Sequence, residues 1–232
     1  MPVFRLSAKI LFPPPHLAEP NGLLAIGGDL SVKRLIAAYR RGIFPWFSEG
    51  DPLLWWSPTP RLVLFPGEFR LPKRLARYAR NSVLTTTCDQ AFAEVIASCA
   101  TTRTDNGQPT WITPAMQSAY IELHREGYAH SIEVWRDGCL AGGLYGVSLG
   151  RVFFGESMFS RISSGSQFAL IALVDTLRNK DFQMIDCQMT TNHLLRFGAR
   201  EIKGEQFQTL LDNHIDSLIS HGTWCNIHEN NQ

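Results

Sequence analysis

SIEVWRDGCLAGGLYGVSLGRVFFGESMF, Ser131 to Phe159, is the stretch on which the fold turns. From His130 onward apolar residues recur at every second position, the pattern of half-buried strands. Asp137-Gly138 and Leu149-Gly150 interrupt it where tight turns fit, so a three-strand antiparallel meander is predicted. Downstream, Ser166 to Asn179 places Phe168, Leu170, Ile171, Leu173, Val174 and Leu177 at helical spacing, and Met184 to Cys187 reads as one more short strand. Meander, helix, strand is an α+β order, with the helix laid across the sheet.

Within these elements a few polar groups stand out. Glu156 sits among Phe153, Phe154, Met158 and Phe159. A carboxylate in so apolar a run must be hydrogen-bonded, ion-paired or functional, because burying it alone costs at least several kcal/mol. Strand alternation puts Asp186 and Gln188 on one face and Cys187 on the other. The same rule puts Phe153 and Glu156 on opposite faces, unless Gly155 introduces a bulge. Glu156, Asp186 and Gln188 beside aromatic and methionine walls make a pocket for an apolar side chain and an amine.

Composition narrows the class. In 232 residues there is room for one large domain or two small ones, and 44% hydrophobic with 19% charged residues is ordinary for a soluble protein. Five cysteines without a CxxC pair suit a reducing cytosol better than a disulfide framework. No apolar run is long enough for a signal peptide or a membrane span, so a cytoplasmic protein is expected. The net charge of +1 leaves a nucleic-acid partner to be decided by local clustering.

The first half of the chain supplies that clustering. A short strand over Val3 to Leu6 precedes proline-rich punctuation at Pro13–Pro15. Ser31 is a plausible N-cap for a helix from Val32 to Arg41, stopped by Gly42. Phe44, Trp46, Phe47, Trp55 and Trp56 then fall close together, as core or interface packing or as a stacking surface for a base. Lys73, Arg74, Arg77 and Arg80 recur along one helix, with Arg61 and Arg70 upstream. That helix reads either as a solvated face or as a phosphate-backbone contact. Asp89 is placed as the cap of a helix to about Ala100, and Thr101 to Pro109 as a polar loop. Thr113-Pro114 opens a helix to Glu126, and a last amphipathic helix covers Phe207 to Ile219 before a frayed HENNQ end.

Several chemistries are excluded by pattern. There is no GxxxxGK[ST], and GGLYGVSLG is not a GxGxxG that opens a helix. Scattered histidines with neither HExxH nor CxxC point to no metal, and no cofactor is expected. Cys187 with His193 could form a nucleophile pair, but Cys187 should face the core.

Together, NGLLAIGGDLS, AYRRGIFPWF, WWSPTPR, TWITPAM, AYIELHREGYAHSIEVW, GGLYGV, FFGESMFS and IDCQ resemble the leucyl/phenylalanyl-tRNA–protein transferase family from Asn21 to about Ala199. The resemblance implies a smaller N-terminal α/β domain (residues 1–62) and an acetyltransferase-like, GNAT-type catalytic domain (63–232). It implies transfer of leucine or phenylalanine, with methionine as a further donor, from aminoacyl-tRNA to the α-amine of proteins beginning with Arg or Lys. It implies that the product is an N-degron for ATP-dependent proteolysis. Carried over by motif, Asp186, Gln188 and Glu156 would be catalytic. Asp186 would ease deprotonation of the attacking amine through Gln188, and Glu156 would hold the α-ammonium of the aminoacyl group or orient Gln188. Leu144, Phe153, Met158, Leu170, Leu173 and Ile185 would hold the aminoacyl side chain. Trp46 and Trp111 would flank the tRNA 3′-adenosine. Tyr39 and Tyr120 would hold the acceptor peptide, or be core tyrosines with bonded hydroxyls. Arg61, Lys73, Arg74, Arg77 and Arg80 would meet the tRNA backbone. A monomer is expected.

Two other classes stay open on sequence. An acyl-CoA-dependent N-acyltransferase would want a glycine-rich pyrophosphate turn before the long helix, and Arg161 to Gln167, RISSGSQ, has one glycine. A non-catalytic RNA-binding module would use the basic helix and the tryptophans alone.

Overall fold

In a computed structural model, residues 3–80, 82–105, 107, 110–217 and 224 are described. The elements run β1 (Phe4–Leu6), β2 (Leu23–Gly27), α1 (Val32–Tyr39), β3 (Phe44–Pro45), β4 (Leu54–Trp56), β5 (Arg61–Leu64), α2 (Lys73–Arg80), β6 (Thr85–Cys88), α3 (Phe92–Asp105), α4 (Pro114–Arg125), β7 (Ala129–Arg136), β8 (Cys139–Leu149), β9 (Val152–Ser160), α5 (Gly165–Asn179), β10 (Met184–Asp186), α6 (Asn192–Leu195), β11 (Arg200–Ile202) and α7 (Gly204–His214).

The predicted meander is present as β7, β8 and β9, antiparallel and in sequence, and it forms the centre of a seven-stranded sheet ordered β11-β5-β10-β9-β8-β7-β6. α5 crosses one face of this sheet, while α3 and α4 cover the other. β10 then returns parallel to β9, paired through Met184↔Val152, Ile185↔Phe153 and Asp186↔Phe154. Beyond Phe154, β9 runs on to Ser160 without β10 beside it, and the site opens at that divergence. The fold is α+β, as the element order required.

A second sheet, ordered β1-β2-β4-β3, comes from the first part of the chain. Trp55 is fully buried within it, its indole donating to the Gly27 carbonyl at 2.8 Å, so its one polar atom is satisfied where its rings displace water. β5 begins at Arg61, so the chain enters the large sheet at the end of the segment expected to be the N-terminal domain. One buried cluster joins Leu24, Leu35 and Trp55 to Phe154, Phe207 and Leu211 of the larger unit. A second, on the α5 face, contains Leu144, Phe153, Leu170, Leu173 and Ile185.

Local signals held where side chain and backbone are neighbours. Ser31 Oγ accepts from the Arg34 N–H, and Thr113 Oγ1 accepts from the Met116 N–H with Pro114 at the first helical position. Asp89 is different. It takes a left-handed φ of 58°, and its carboxylate accepts from the Ser131 and Trp224 N–H groups and pairs with His130, so it staples strands rather than capping α3. The buried Glu133 accepts from the Ala91 N–H at the start of that helix instead. α3 also runs through Thr101 to Asp105, part of the expected loop. The last helix starts earlier than expected, at Gly204, and ends earlier, at His214, with 215–216 in a turn; Ile219 and the HENNQ end lie outside the described residues.

Candidate active site

The site is built on a β-bulge. Across β8 and β9, Tyr145 faces Ser157 and Gly146 faces Gly155, which leaves Glu156 as the extra residue on β9. The bulge reverses the alternation. Phe154 and Phe159 belong to the core shared with the N-terminal sheet, whereas Phe153 and Met158 face α5. Phe153, Glu156 and Met158 therefore line one cavity, which strict alternation forbade. The extra residue is Glu156 itself, not Gly155 alone.

Glu156 is gripped from three elements. Tyr39 of α1 donates to Oε1 at 2.7 Å, Tyr120 of α4 to Oε2 at 3.1 Å, and the Gln188 amide to Oε1 at 2.9 Å. The two tyrosine hydroxyls also touch one another. Burial, reinforced by the negative Asp186, pushes the Glu156 carboxyl up to about 7 against the pull of these three donors. Burial and the neighbouring Glu156 raise both tyrosines well above 10, so they stay protonated donors.

Asp186 is fully buried at the end of β10 and does not line the cavity. Arg61 grips both its oxygens, Nε to Oδ1 at 2.8 Å and Nη2 to Oδ2 at 2.7 Å. The guanidinium is itself 1% exposed and lies between the rings of Phe44 and Phe207, at 4.9 and 4.7 Å. Asp186 Oδ1 also accepts the backbone N–H of Gln188 at 2.9 Å. Gln188 takes φ 60°, a conformation a non-glycine residue adopts at a cost, and this leaves β10 and turns its side chain into the cavity. Alternation thus holds for Asp186 and Cys187 but stops before Gln188.

The cavity holds about 540 Å³. Leu144 and Phe153 come from β8 and β9, Met158 from beyond the bulge, Leu170 and Leu173 from α5, and Ile185 from β10; all six line it. Trp46 and Trp111 stand in its wall, Trp46 being 38% exposed and its ring 5.5 Å from that of Trp56. Glu156 and Gln188 provide polar lining.

Two sets of expected contacts are displaced. Arg61 is buried in its ion pair and cannot reach a phosphate, whereas Lys73, Arg74 and Arg77 are exposed on α2. The Arg80 side chain lies outside the described residues. Tyr39 and Tyr120 are 1% and 0% exposed, with hydroxyls committed to Glu156, so they brace the site from beneath rather than offer a surface to a peptide. Sequence reasoning missed the Arg61–Asp186 pair. Its trace was Arg61 opening the apolar run RLVLF, since a charge entering a buried strand demands a buried partner.

Cys187 and His193 both line the cavity, but no bond joins them. The Cys187 thiol, which lies against the Ile185 carbonyl, is pushed far up by burial and by Asp186, and burial with Arg196 lowers His193. A thiol so hard to ionise is a poor nucleophile. Among the described residues no group of His, Cys, Asp and Glu could hold a metal ion.

An apolar cavity with a tyrosine-bound carboxylate and an amide in its polar lining has the chemistry to hold an apolar group beside an amine. The family model described as leucyl/phenylalanyl-tRNA protein transferase matches residues 63–212, and the one for its N-terminal domain matches 28–59. A leucyl/phenylalanyl-tRNA–protein transferase of Syntrophobacter fumaroxidans is 55% identical over 224 residues, 97% of this chain and 96% of that protein. One from Desulfotalea psychrophila is 56% identical over 220 residues, 95% of each. Among solved structures, a ribosomal-protein-alanine N-acetyltransferase from Brucella melitensis aligns at TM-score 0.36 and 12% identity, covering 61% of this chain and 95% of that one. The chain belongs to the leucyl/phenylalanyl-tRNA–protein transferase family and is an aminoacyltransferase.

Proposed function

We propose that the protein takes leucine, phenylalanine or, as a further donor, methionine from its aminoacyl-tRNA and joins it to the N-terminal α-amine of proteins beginning with Arg or Lys. The product carries an N-degron for ATP-dependent proteolysis, and the enzyme works as a cytoplasmic monomer. The observation that carries this reading is the cavity, in which six apolar side chains surround the space beside Glu156 and Gln188. Met158 adapts its shape cheaply, which suits both a branched aliphatic and an aromatic guest. Trp46 and Trp111, which line the wall, would flank the tRNA 3′-adenosine, and the exposed Lys73, Arg74 and Arg77 would meet the backbone, read by charge rather than by sequence. No helix among the described residues is long and apolar enough to cross a membrane.

The aminoacyl ester is already activated, so the site's task is to hold a neutral amine in line with the carbonyl. Orientation of this kind supplies roughly 7–11 kcal/mol. Gln188 spends its N–H₂ on Glu156, which leaves its side-chain carbonyl to accept from the amine. Asp186 holds the Gln188 backbone and Arg61 holds Asp186, so both act on the amine through position.

An acyl-CoA donor is disfavoured by the start of α5, where a pyrophosphate would need free amides. The Gly165 N–H bonds the Ile162 carbonyl, and the Ser166 N–H bonds Ser160 Oγ at 2.7 Å. Gly142 also packs so closely on the Gly165 backbone that a Cβ there would lie 2.7 Å from its carbonyl carbon. Labelled Leu-tRNA, Phe-tRNA and acetyl-CoA, each offered with a peptide beginning with Arg, test the proposal. RNase-sensitive transfer of leucine and phenylalanine is expected; transfer from acetyl-CoA alone overturns it.

A further inference from the structure

We infer that Glu156, ringed by Tyr39 and Tyr120, is the group that takes the proton from the acceptor amine, while Arg61 keeps Asp186 out of proton transfer. This rests on the proposed transfer reaction and assigns its base.

The first reason is a count of protons. Tyr39 Oη, Tyr120 Oη and the Glu156 carboxylate form a closed ring of three contacts: hydroxyl to hydroxyl, Tyr39 to Oε1, and Tyr120 to Oε2. The two phenols bring two protons, one donor each. The third contact is a hydrogen bond only when the carboxyl brings a proton of its own. The ring thus has one place for an arriving proton, at the wall of the cavity where the amine must sit.

The second reason is access. Glu156 lines the cavity and Asp186 does not. Both Asp186 oxygens are held by Arg61, and Oδ1 also holds the Gln188 N–H, in a place no solvent reaches. Protonating Asp186 would strand the buried guanidinium, whose Nη1 already has no hydrogen-bond partner.

The step balances without a further reactant. The incoming ammonium gives one proton to the Glu156 carboxylate, and its freed lone pair attacks the ester carbonyl. The C–N bond forms as the bond from the carbonyl carbon to the tRNA 3′-oxygen breaks. That oxygen takes a proton, returned from Glu156 or shed by the new C–N nitrogen, and any surplus proton leaves to solvent. The groups facing Glu156 are Tyr39 of α1, Tyr120 of α4, Tyr145 of β8, Asp186 with its partner Arg61 of β5, Cys187 and Gln188 after β10, and His193 of α6. Burial raises the carboxyl most, Asp186 adds to that, and the Tyr39, Tyr120 and Gln188 donors pull it back, to about 7.

Single-turnover transfer to an Arg peptide, followed across pH, tests this. An acceptor with an aminooxy terminus, neutral throughout that range, removes the titration of the substrate itself. For the wild type the rate should rise with pH through about 7, because only the carboxylate accepts a proton. Glu156→Gln keeps the shape and one acceptor oxygen for Tyr39 and Gln188, while its N–H₂ donates to Tyr120, whose hydroxyl turns to Tyr39, so a residue that merely oriented Gln188 would lose little. We expect a loss of about 10²–10⁴-fold with the ammonium acceptor. A smaller loss is expected with the aminooxy one, and the inflection near 7 should vanish. Tyr39→Phe removes a donor that favours the carboxylate, so its inflection should move to higher pH with the melting temperature little changed. An inflection that survives in Glu156→Gln overturns the inference while leaving the transfer reaction standing; a wild type that moves no aminoacyl group overturns both.

Discussion

Replacing Arg61 with alanine is expected to cost about 3–5 kcal/mol of stability, because Asp186 is then left charged, buried and alone. At about 2–4 °C per kcal/mol for a chain of this size, the melting temperature should fall by roughly 6–20 °C. Asp186 is 0% exposed and Arg61 1%, and the guanidinium fills the gap between Phe44 and Phe207, so neither water nor a neighbouring side chain can take its place. The double variant Arg61→Met with Asp186→Leu separates stability from activity. An apolar pair of similar volume should recover most of the stability, yet it cannot hold the Gln188 N–H in its left-handed turn. Transfer in that refolded double variant should stay about 10²-fold down, the scale of loss from a misplaced reacting group. Full activity there would show that the ion pair serves the fold alone.

Gly146→Ala should change which aminoacyl group is accepted. A Cβ at Gly146 would lie 2.2 Å from the Phe154 carbonyl oxygen and 2.5 Å from Phe153 Cζ. Both atoms belong to β9, so that strand must shift at the bulge and carry the Phe153 ring with it. Trp224 stands on its other flank, with ring centroids 5.5 Å apart, and is itself stacked on His130 at 4.3 Å. The ring therefore moves into the cavity. Overpacking of this kind costs about 1–3 kcal/mol, and the narrowed space should penalise phenylalanine more than leucine, by about 10-fold in the ratio of kcat/KM. Competition between Phe-tRNA and Leu-tRNA for one Arg peptide reads that ratio. An unchanged ratio would mean that Phe153 does not bound the side-chain space.

What was legible in the sequence was local. Period-two runs with Asp137-Gly138 and Leu149-Gly150 between them give β7, β8 and β9 because each signal lies within a few residues of what it controls. The caps at Ser31 and Thr113 are of the same kind. The six wall residues came from the family resemblance instead, because alternation alone puts Phe153 and Met158 on opposite faces of β9.

What failed was long-range or inserted. Arg61 meets Asp186 only because β5 enters the sheet between β11 and β10; the run RLVLF told that its charge needed a buried partner but not which one, so it read as surface. The N-terminal sheet was hidden for the same reason, since β1 to β4 are short and their order is set by partners along the chain. Asp89 looked like a cap because its spacing was right, but His130 and Ser131 competed for its oxygens and won. The bulge was half visible: Gly155 marked the place, and the sheet register shows that Glu156 is the inserted residue.

The most direct test of the whole account is an experimental structure with adenosine bearing phenylalanine on a 3′-amide, an unreactive stand-in for the aminoacyl end of the tRNA. The account predicts the phenyl ring among Leu144, Phe153, Met158, Leu170, Leu173 and Ile185, the adenine against Trp46 and Trp111, and the amide carbonyl facing the space beside Gln188 and Glu156. A phenyl ring bound outside that cavity, or an adenine that leaves both tryptophans untouched, would contradict it.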